Sequence, residues 1–194
     1  EHTEHPQPPT SVPWPAGASH LVVSGPTGSG KSAVGRLVAT ALGRVWVEGD
    51  AFHPVANRDK MAAGTPLDDD DRAPWLDRLA AELGRLGGLG LPAVLACSAL
   101  KRSHRDVLRS CGYPVTVVQI LVSPDDLRAR LASRQAHFMP ASLVDSQTAL
   151  MEPLAAGEEG ITVASAEDPQ STASRILDEA ESGASRSSRA QPCA

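Results

Sequence analysis

The stretch Gly25-Pro-Thr-Gly-Ser-Gly-Lys31-Ser32 decides the fold of this chain, because it fits the phosphate-loop pattern G-x-x-x-x-G-K-[ST]. Glycines allow successive backbone N–H groups to curve around an anion, and the helix that follows directs its positive end at the same anion. Lys31 can bridge the β- and γ-phosphates of a nucleotide, and Ser32 can place its hydroxyl on Mg²⁺. We therefore predict an ATP-binding loop made of Gly25, Pro26, Thr27, Gly28, Ser29, Gly30, Lys31 and Ser32, with Ser32 also a metal ligand.

Short apolar runs alternate with helical patterns along the rest of the chain. The sequence predicts strands over residues 21–24, 44–48, 93–97, 115–122 and 161–164, and helices over 31–42, 71–86, 101–109, from 124 onward and over 169–176. This alternation is typical of a three-layer α/β protein, in which helices cover both faces of a five-stranded parallel sheet. Ligands of such sheets bind beyond the carboxyl ends of the strands. The loops that follow the first four predicted strands should therefore converge on one site.

Composition and charge indicate a single globular domain. The chain has 194 residues, 41% of them hydrophobic, and a formal net charge of −5. We place the domain at residues 19–182, between a Pro-rich tail over 1–18 and a Ser/Arg-rich tail over 183–194, both expected to be disordered. The negative charge argues against a general nucleic-acid partner, and no apolar stretch approaches the ~18 residues of a membrane span. Cys97, Cys111 and Cys193 follow no disulfide or metal-binding spacing, so we expect a reduced, cytoplasmic protein.

Phosphate-loop proteins include GTPase switches, ATP-driven motors and small kinases. A GTPase needs the guanine-reading motif N-K-x-D, and the nearest string, Asn57-Arg-Asp59, lacks the lysine and falls in the wrong place. A motor usually ends its third strand in an acid, whereas the third strand here runs into Cys97-Ser98-Ala99. A compact kinase that acts on a small molecule remains.

The loop after the second strand offers groups for the acceptor of the phosphate. Asp50 should lie at the carboxyl end of that strand, where a carboxylate can orient an acceptor hydroxyl and take its proton, or hold a magnesium-bound water. His53 could hydrogen-bond a polyol, although an ordinary loop histidine is the alternative. Glu48 is interpreted as a strand-end residue that supports the site.

Two sets of basic residues are candidates for binding anions. Lys101 and Arg105 are one helical turn apart and could clamp a carboxylate, unless they form an ordinary basic helix face. Arg130 and Arg134 have the same spacing before Pro140 and predict a helical lid that closes over the triphosphate and excludes water. We expect Arg128 to lie on the surface.

The acidic run Asp68-Asp-Asp-Asp71 has a structural interpretation. It stands before the predicted helix that contains Trp75, where negative charge compensates the helix dipole. Arg72 is the expected ion-pair partner of this run.

Taken together, these strings resemble the gluconate kinase family, the thermoresistant bacterial type. The matching segments, in order, are 25–32, 48–54, 57–61, 64–67, 69–76, 97–101, 105–106, 130–138, 146–147 and 152–153. The resemblance implies a fold like that of nucleoside monophosphate kinases, a dimer, and the transfer of phosphate from ATP to D-gluconate. It implies catalytic roles for Lys31, Asp50, Arg130 and Arg134, magnesium at Ser32 and Asp50, and an acceptor pocket around Asp50, His53, Lys60, Lys101, Arg105 and Gln147.

Two alternatives stay open at this point. One is a related kinase with another small acceptor, such as shikimate or a nucleoside monophosphate, because a carboxylate clamp alone does not separate gluconate from shikimate. The other is a nucleotide-binding regulator without catalysis. A base and closing arginines argue against the regulator, because a sensor needs neither.

Overall fold

The computed structural model describes residues 20–132 and 141–188 of the chain. Within these ranges the strands are β1 His20–Ser24, β2 Val45–Glu48, β3 Ala93–Ala96, β4 Val115–Leu121 and β5 Gly160–Ala164. The helices are α1 Lys31–Leu42, α2 Val55–Ala62, α3 Asp69–Gly88, α4 Arg102–Arg109, α5 Pro124–Ala132, α6 Ala141–Leu150 and α7 Pro169–Ser188. A 3₁₀ turn covers Gly49–Phe52, directly after β2.

The sheet is parallel throughout, in the order β2-β3-β1-β4-β5. β1 lies in the centre and is buried along its whole length. Its carboxyl end therefore opens between the carboxyl ends of β3 and β4, where parallel sheets bind ligands. The predicted three-layer α/β fold with a five-stranded parallel sheet is confirmed.

Helices cover both faces of the sheet, because neighbouring residues of a strand point to opposite sides. On one face, Leu95 packs with Trp75, Leu79 and Leu83 of α3. On the other face, Val94 packs in the cluster that α1 and α7 complete, to which Val34, Val38 and Ile176 belong. Strands buried on both faces explain why β3 is apolar at every position.

The observed helices differ from the predicted ones at several places. α3 begins at Asp69 rather than residue 71, and α7 continues to Ser188, past the predicted domain boundary at Ser182. The sequence pattern predicted neither α2, α6 nor the 3₁₀ turn. α2 buries only Asn57, so it has no apolar stripe that a periodicity search could detect.

Several sequence expectations fall outside the described residues. These are Arg134, Cys193, residues 1–19 and the chain after 188. Cys97 and Cys111 are described, and both are free thiols. No helix within the described ranges is long and apolar enough to cross a membrane.

Candidate active site

The phosphate loop joins the carboxyl end of β1 to the first residue of α1. Gly28 and Gly30 both have a φ of 86°, a left-handed conformation that glycine adopts without steric cost. Among the described side chains, none caps the first turn of α1, so its N–H groups face the loop at the positive end of the helix. The hydroxyl of Ser29 is buried and has no hydrogen-bond partner among the described residues. These donors fit a phosphate group.

The loop after β3 forms hydrogen bonds with the start of the phosphate loop. Ser24 Oγ donates a hydrogen bond to the carbonyl oxygen of Ser98 at 2.7 Å, and the backbone N–H of Gly25 donates to the same oxygen at 3.3 Å. The next residue, Ala99, is fully buried at a φ of 36°, which is unusual for a residue with a side chain. Strain of this kind persists only where the surrounding contacts enforce it.

Lys31 and Asp50, both predicted to be catalytic, lie on the same edge of the sheet. Their common neighbour is Cys97 at the end of β3. Burial raises the pKa of the Cys97 thiol to about 12, and the nearby charge of Asp50 adds to this shift while the charge of Lys31 opposes it. Lys31 is buried, whereas Asp50 is exposed in the 3₁₀ turn. A carboxylate and an ammonium group therefore both act on Cys97 at the carboxyl edge of the sheet.

The predicted metal ligand Ser32 contacts a carboxylate that was not itself predicted to bind the metal. Its Oγ donates to Oε1 of Glu48 at 3.2 Å, across the gap between α1 and β2. Asp50 was the other predicted metal ligand, whereas Glu48 was interpreted only as a strand-end residue that supports the site. Glu48 thus places a hard oxygen donor, the type that Mg²⁺ prefers, beside the hydroxyl of Ser32.

His53 is buried directly after the 3₁₀ turn. Its ring stacks on Trp75, with the centroids 4.1 Å apart and the planes 14° from parallel. Burial lowers the pKa of His53, the charge of Asp50 opposes this shift, and Arg72 and Arg58 lower the pKa further. The imidazole is therefore neutral near pH 7. It is not an ordinary loop histidine, because it is 6% exposed.

The two predicted acceptor-side lysines are both paired with acids at the start of α3. Lys60 Nζ lies 2.6 Å from Oδ1 of Asp71, and Lys101 Nζ lies 2.6 Å from Oδ2 of Asp69. Arg72 also approaches Asp69, at 3.8 Å, as the sequence predicted. The acidic residues cap the first turn of α3, and they also form ion pairs with the lysines of α2 and of the β3–α4 loop.

Arg105 is a predicted substrate-binding residue that the structure does not bring to the site. Its side chain is fully buried and paired with Glu158. The guanidinium also donates to the carbonyl oxygens of Leu100, Glu152 and Pro153. The predicted clamp with Lys101 does not form, because the guanidinium of Arg105 is buried against Glu158 while Lys101 pairs with Asp69.

The segment after β4 reaches back to the phosphate loop. Arg130 of α5 donates to the carbonyl oxygen of Ser29 at 3.4 Å and to Ser165 Oγ at 2.9 Å. Gln147 of α6 accepts a hydrogen bond at 2.8 Å from the backbone N–H of Thr27. Gln147 was predicted to bind substrate, and its described contact is with the loop instead. Arg128 pairs with exposed acids on the surface, as expected.

Sequence reasoning from individual residues missed two side chains that contact His53 and the 3₁₀ turn. The side chain of Asn57 bonds to His53, and Trp75 Nε1 donates to the carbonyl oxygen of Gly49 at 2.8 Å, next to Asp50. Trp75 was predicted only as part of the helix over residues 71–86. The available signal for Asn57 was its position four residues after His53, a spacing that brings side chains together on a helical turn.

The sequence of this chain is similar to those of known proteins. Residues 21–154 match the family described as an AAA domain. The chain is 50% identical over 132 residues to a gluconokinase of Gluconobacter oxydans, covering 68% of this chain and 74% of that protein. It is 42% identical over 160 residues to a probable gluconokinase of Mus musculus, covering 74% and 87%.

Solved structures agree with these relatives. A gluconokinase from Sinorhizobium meliloti aligns with a TM-score of 0.78 at 37% identity, over 88% of this chain and 94% of that one. A shikimate kinase from Bacteroides thetaiotaomicron aligns with a TM-score of 0.59 at 17% identity, over 84% of this chain and 98% of that one. The second likeness shows a shared fold alone.

Proposed function

The chain belongs to the gluconokinase family, and on that premise we propose that it transfers the γ-phosphate of ATP to the 6-hydroxyl of D-gluconate, giving ADP and 6-phospho-D-gluconate. The observation that carries the proposal is the environment of Asp50. This carboxylate follows β2 at the ligand-binding edge, where its charge and that of Lys31 both act on Cys97, and it neighbours His53. Phosphate donor and hydroxyl acceptor can thus meet at one carboxylate.

The phosphate loop supplies the donor half of the reaction. We propose that residues 25–32 hold the phosphates of ATP and that Lys31 neutralises charge on the transferred group. Ser32 and Asp50 would hold Mg²⁺, with the carboxylate of Glu48 fixing the Ser32 hydroxyl. When bound, the metal neutralises charge that develops on the phosphate oxygens. Arg130 of α5 would neutralise charge on the phosphates as well, because it contacts the carbonyl oxygen of Ser29 in the phosphate loop.

The acceptor half would be built from the residues around the 3₁₀ turn. We propose that Asp50 accepts the proton of the attacking hydroxyl and that His53 bonds the polyol. Lys60 and Lys101 would attract the carboxylate of gluconate, because their side chains, unlike that of Arg105, remain 43% and 23% exposed beside Asp71 and Asp69. Arg134 remains a proposed lid residue, and Gln147 would act through its bond to the phosphate loop.

The experiment measures ADP release from ATP and Mg²⁺ with D-gluconate, shikimate and nucleoside monophosphates as separate acceptors. The gluconate product is then offered to 6-phosphogluconate dehydrogenase. We expect ADP release that depends on gluconate and a product which that enzyme oxidises. Release with another acceptor alone would contradict gluconate as substrate, and ATP binding without transfer to any acceptor would favour the nucleotide-binding regulator.

The role of Asp50 is tested by Asp50→Asn, which keeps the size of the side chain but removes the base. We expect kcat to fall by roughly 10²- to 10⁴-fold, the usual contribution of a general base, with ATP binding retained. Asp59→Asn is the matched control, because Asp59 is an exposed acid of α2. Full turnover in Asp50→Asn would remove Asp50 from catalysis.

We also propose a homodimer in the cytoplasm, which the resemblance to the family supports. Sedimentation equilibrium should give twice the 20.2 kDa mass of one chain. A mass of one chain at working concentration would contradict the dimer.

A further inference from the structure

The side chain of Asn57 joins three elements of the acceptor side. It is 3% exposed, and its amide nitrogen Nδ2 makes two contacts. One is with the backbone carbonyl oxygen of Asp71, at 2.7 Å, near the start of α3. The other is with Nδ1 of His53, at 3.3 Å, in the segment between the 3₁₀ turn and α2. Asn57 is the only residue of α2 that is buried.

These two contacts decide which nitrogen of His53 carries the proton. A backbone carbonyl oxygen only accepts hydrogen bonds, so the Asn57 atom beside Asp71 must be the NH₂ group. The second hydrogen of the same NH₂ group then points at His53 Nδ1, which must accept it. A ring nitrogen that accepts carries no proton, and in a neutral imidazole the proton is then on Nε2. The donor and acceptor roles in these two hydrogen bonds therefore allow only the Nε2–H tautomer of His53.

The ring that carries this proton is held in place on its other sides. Trp75 stacks against the His53 ring, and the indole Nε1 of Trp75 donates to the carbonyl oxygen of Gly49. The backbone N–H of His53 in turn donates to the carbonyl oxygen of Asp50, at 3.4 Å. The same small group of contacts therefore orients the imidazole and the backbone that bears the proposed base.

We propose that Asn57 is a positioning residue, which holds His53 as the Nε2–H tautomer so that the imidazole donates a hydrogen bond from Nε2 to a hydroxyl oxygen of the acceptor. This inference rests on the proposed function in one respect, namely that a polyol acid binds beside Asp50. A hydroxyl group both donates and accepts, so Asp50 and His53 divide the two tasks. Asp50 takes the proton of the attacking hydroxyl, and His53 donates to a hydroxyl oxygen of the same chain of hydroxyls.

The tautomer is measured directly by NMR on the ¹⁵N-labelled full chain, through two-bond correlations between ring protons and ring nitrogens. His53→Gln identifies the His53 signals by their loss. We expect a protonated Nε2 and an unprotonated Nδ1 near neutral pH without any substrate. A proton on Nδ1, or an even mixture of the two tautomers, would overturn the proposal. This readout does not depend on which acceptor the enzyme uses, so a failure of the gluconate assignment is seen separately, in the acceptor assay.

Asn57→Asp tests the functional consequence. A carboxylate at this position can only accept, so in the neutral imidazole it draws the proton to Nδ1 and removes the donor from Nε2. Because a carboxylate also favours the imidazolium, which donates from both nitrogens, the variants are compared at mildly alkaline pH, where the imidazole is neutral. We expect kcat/KM for gluconate to fall by roughly 10-fold or more, while the KM for ATP changes less than about 2-fold. Asp59→Asn, on the exposed side of α2, is the control that should leave both constants unchanged.

A double-mutant cycle separates positioning from simple support of the fold. Glutamine at position 53 keeps a donor that Asn57 does not control, so in the His53→Gln background Asn57→Asp should add little further loss. Full additivity of the two losses would show that Asn57 acts independently of His53 and would contradict the proposal. If Asn57→Asp does not fold, as judged by circular dichroism, the wild-type tautomer alone decides.

Discussion

Arg105 illustrates how the surroundings of one residue set its role. All five N–H groups of its guanidinium have acceptors: both carboxylate oxygens of Glu158 and the carbonyl oxygens of Leu100, Glu152 and Pro153. These partners belong to the segment between α6 and β5 and to the end of the β3–α4 loop. Arg105 thus links the segment that follows α6 to the β3–α4 loop. Gln147 lies in α6, just before this segment.

Removing one member of the Arg105–Glu158 pair should be costly. Both side chains are buried, at 0% and 2% exposure, so Arg105→Met leaves Glu158 with a buried charge and only Arg109 beside it. We expect a loss of about 3–5 kcal/mol in the free energy of unfolding, measured by urea denaturation. Arg102→Met is the control, because its pair with Asp106 is exposed and contributes about 0–1 kcal/mol.

Arg105→Lys then distinguishes a structural role from the predicted substrate role. Lysine keeps the charge but loses the paired geometry, so we expect reduced stability together with a nearly unchanged KM for gluconate. Unchanged stability with a greatly raised KM would restore Arg105 to the acceptor pocket.

At the scale of elements, α3 begins with a reciprocal cap, whereas the sequence analysis interpreted the acidic run only as charge that compensates the helix dipole. Asp68 accepts a hydrogen bond from the backbone N–H of Asp71 at 2.8 Å, and Asp71 accepts one from the N–H of Asp68 at 3.1 Å. Asp68→Ala should therefore cost about 0.5–2 kcal/mol in the free energy of unfolding. Asp70→Ala is the matched control, as it removes an acid of the same turn without removing the cap. Equal losses in the two variants would mean that charge, not capping, matters here.

Elements with a strong local signal were predictable, and the others depended on contacts distant in sequence. α1 was predicted with its observed bounds, because an apolar stripe and a glycine at each end mark it. α2 has no such stripe, since its one buried side chain is the polar side chain of Asn57. The position of Arg105 likewise depends on residues about 50 positions later, which no local pattern reveals.

The candidate site divides in the same way. The phosphate loop and Asp50 were predictable, because motif spacing and strand ends place them on one edge of a parallel sheet. The bonds of Ser32 to Glu48 and of Gln147 to Thr27 were not, because they join separate elements through side-chain reach. Sequence reasoning therefore located the site and left the partners within it to the structure.

At the scale of the whole molecule, buried histidines make the fold sensitive to mild acid. Burial lowers the pKa values of His20, His53 and His104 below their usual 6.5. Below pH 6.5 these histidines therefore bind more protons in the unfolded chain than in the folded chain. The free energy of unfolding should then fall as the pH drops from 6.5 towards these lowered values.

A second loss should follow at lower pH. The hydrogen bond from Arg105 lowers the pKa of Glu158 from 4.5 to about 2, so its contribution is complete above pH 4.5 and is lost as the pH falls towards 2. The size of this shift corresponds to roughly 3 kcal/mol. Asp69 and Asp71 also have lowered pKa values, through Lys101 and Lys60, and add to the loss in the same range.

Urea denaturation at a series of pH values from about 8 to about 3 checks both steps. His20→Asn should reduce the first step, because the amide oxygen can still accept the N–H of Ala93 but does not titrate. Glu158→Gln should be less stable than the wild type near neutral pH and should show a smaller second step. If the stability of the wild type stayed constant from pH 8 to pH 5, the buried histidines would not be held neutral, and the acid sensitivity of the fold would have to come from the carboxylates alone.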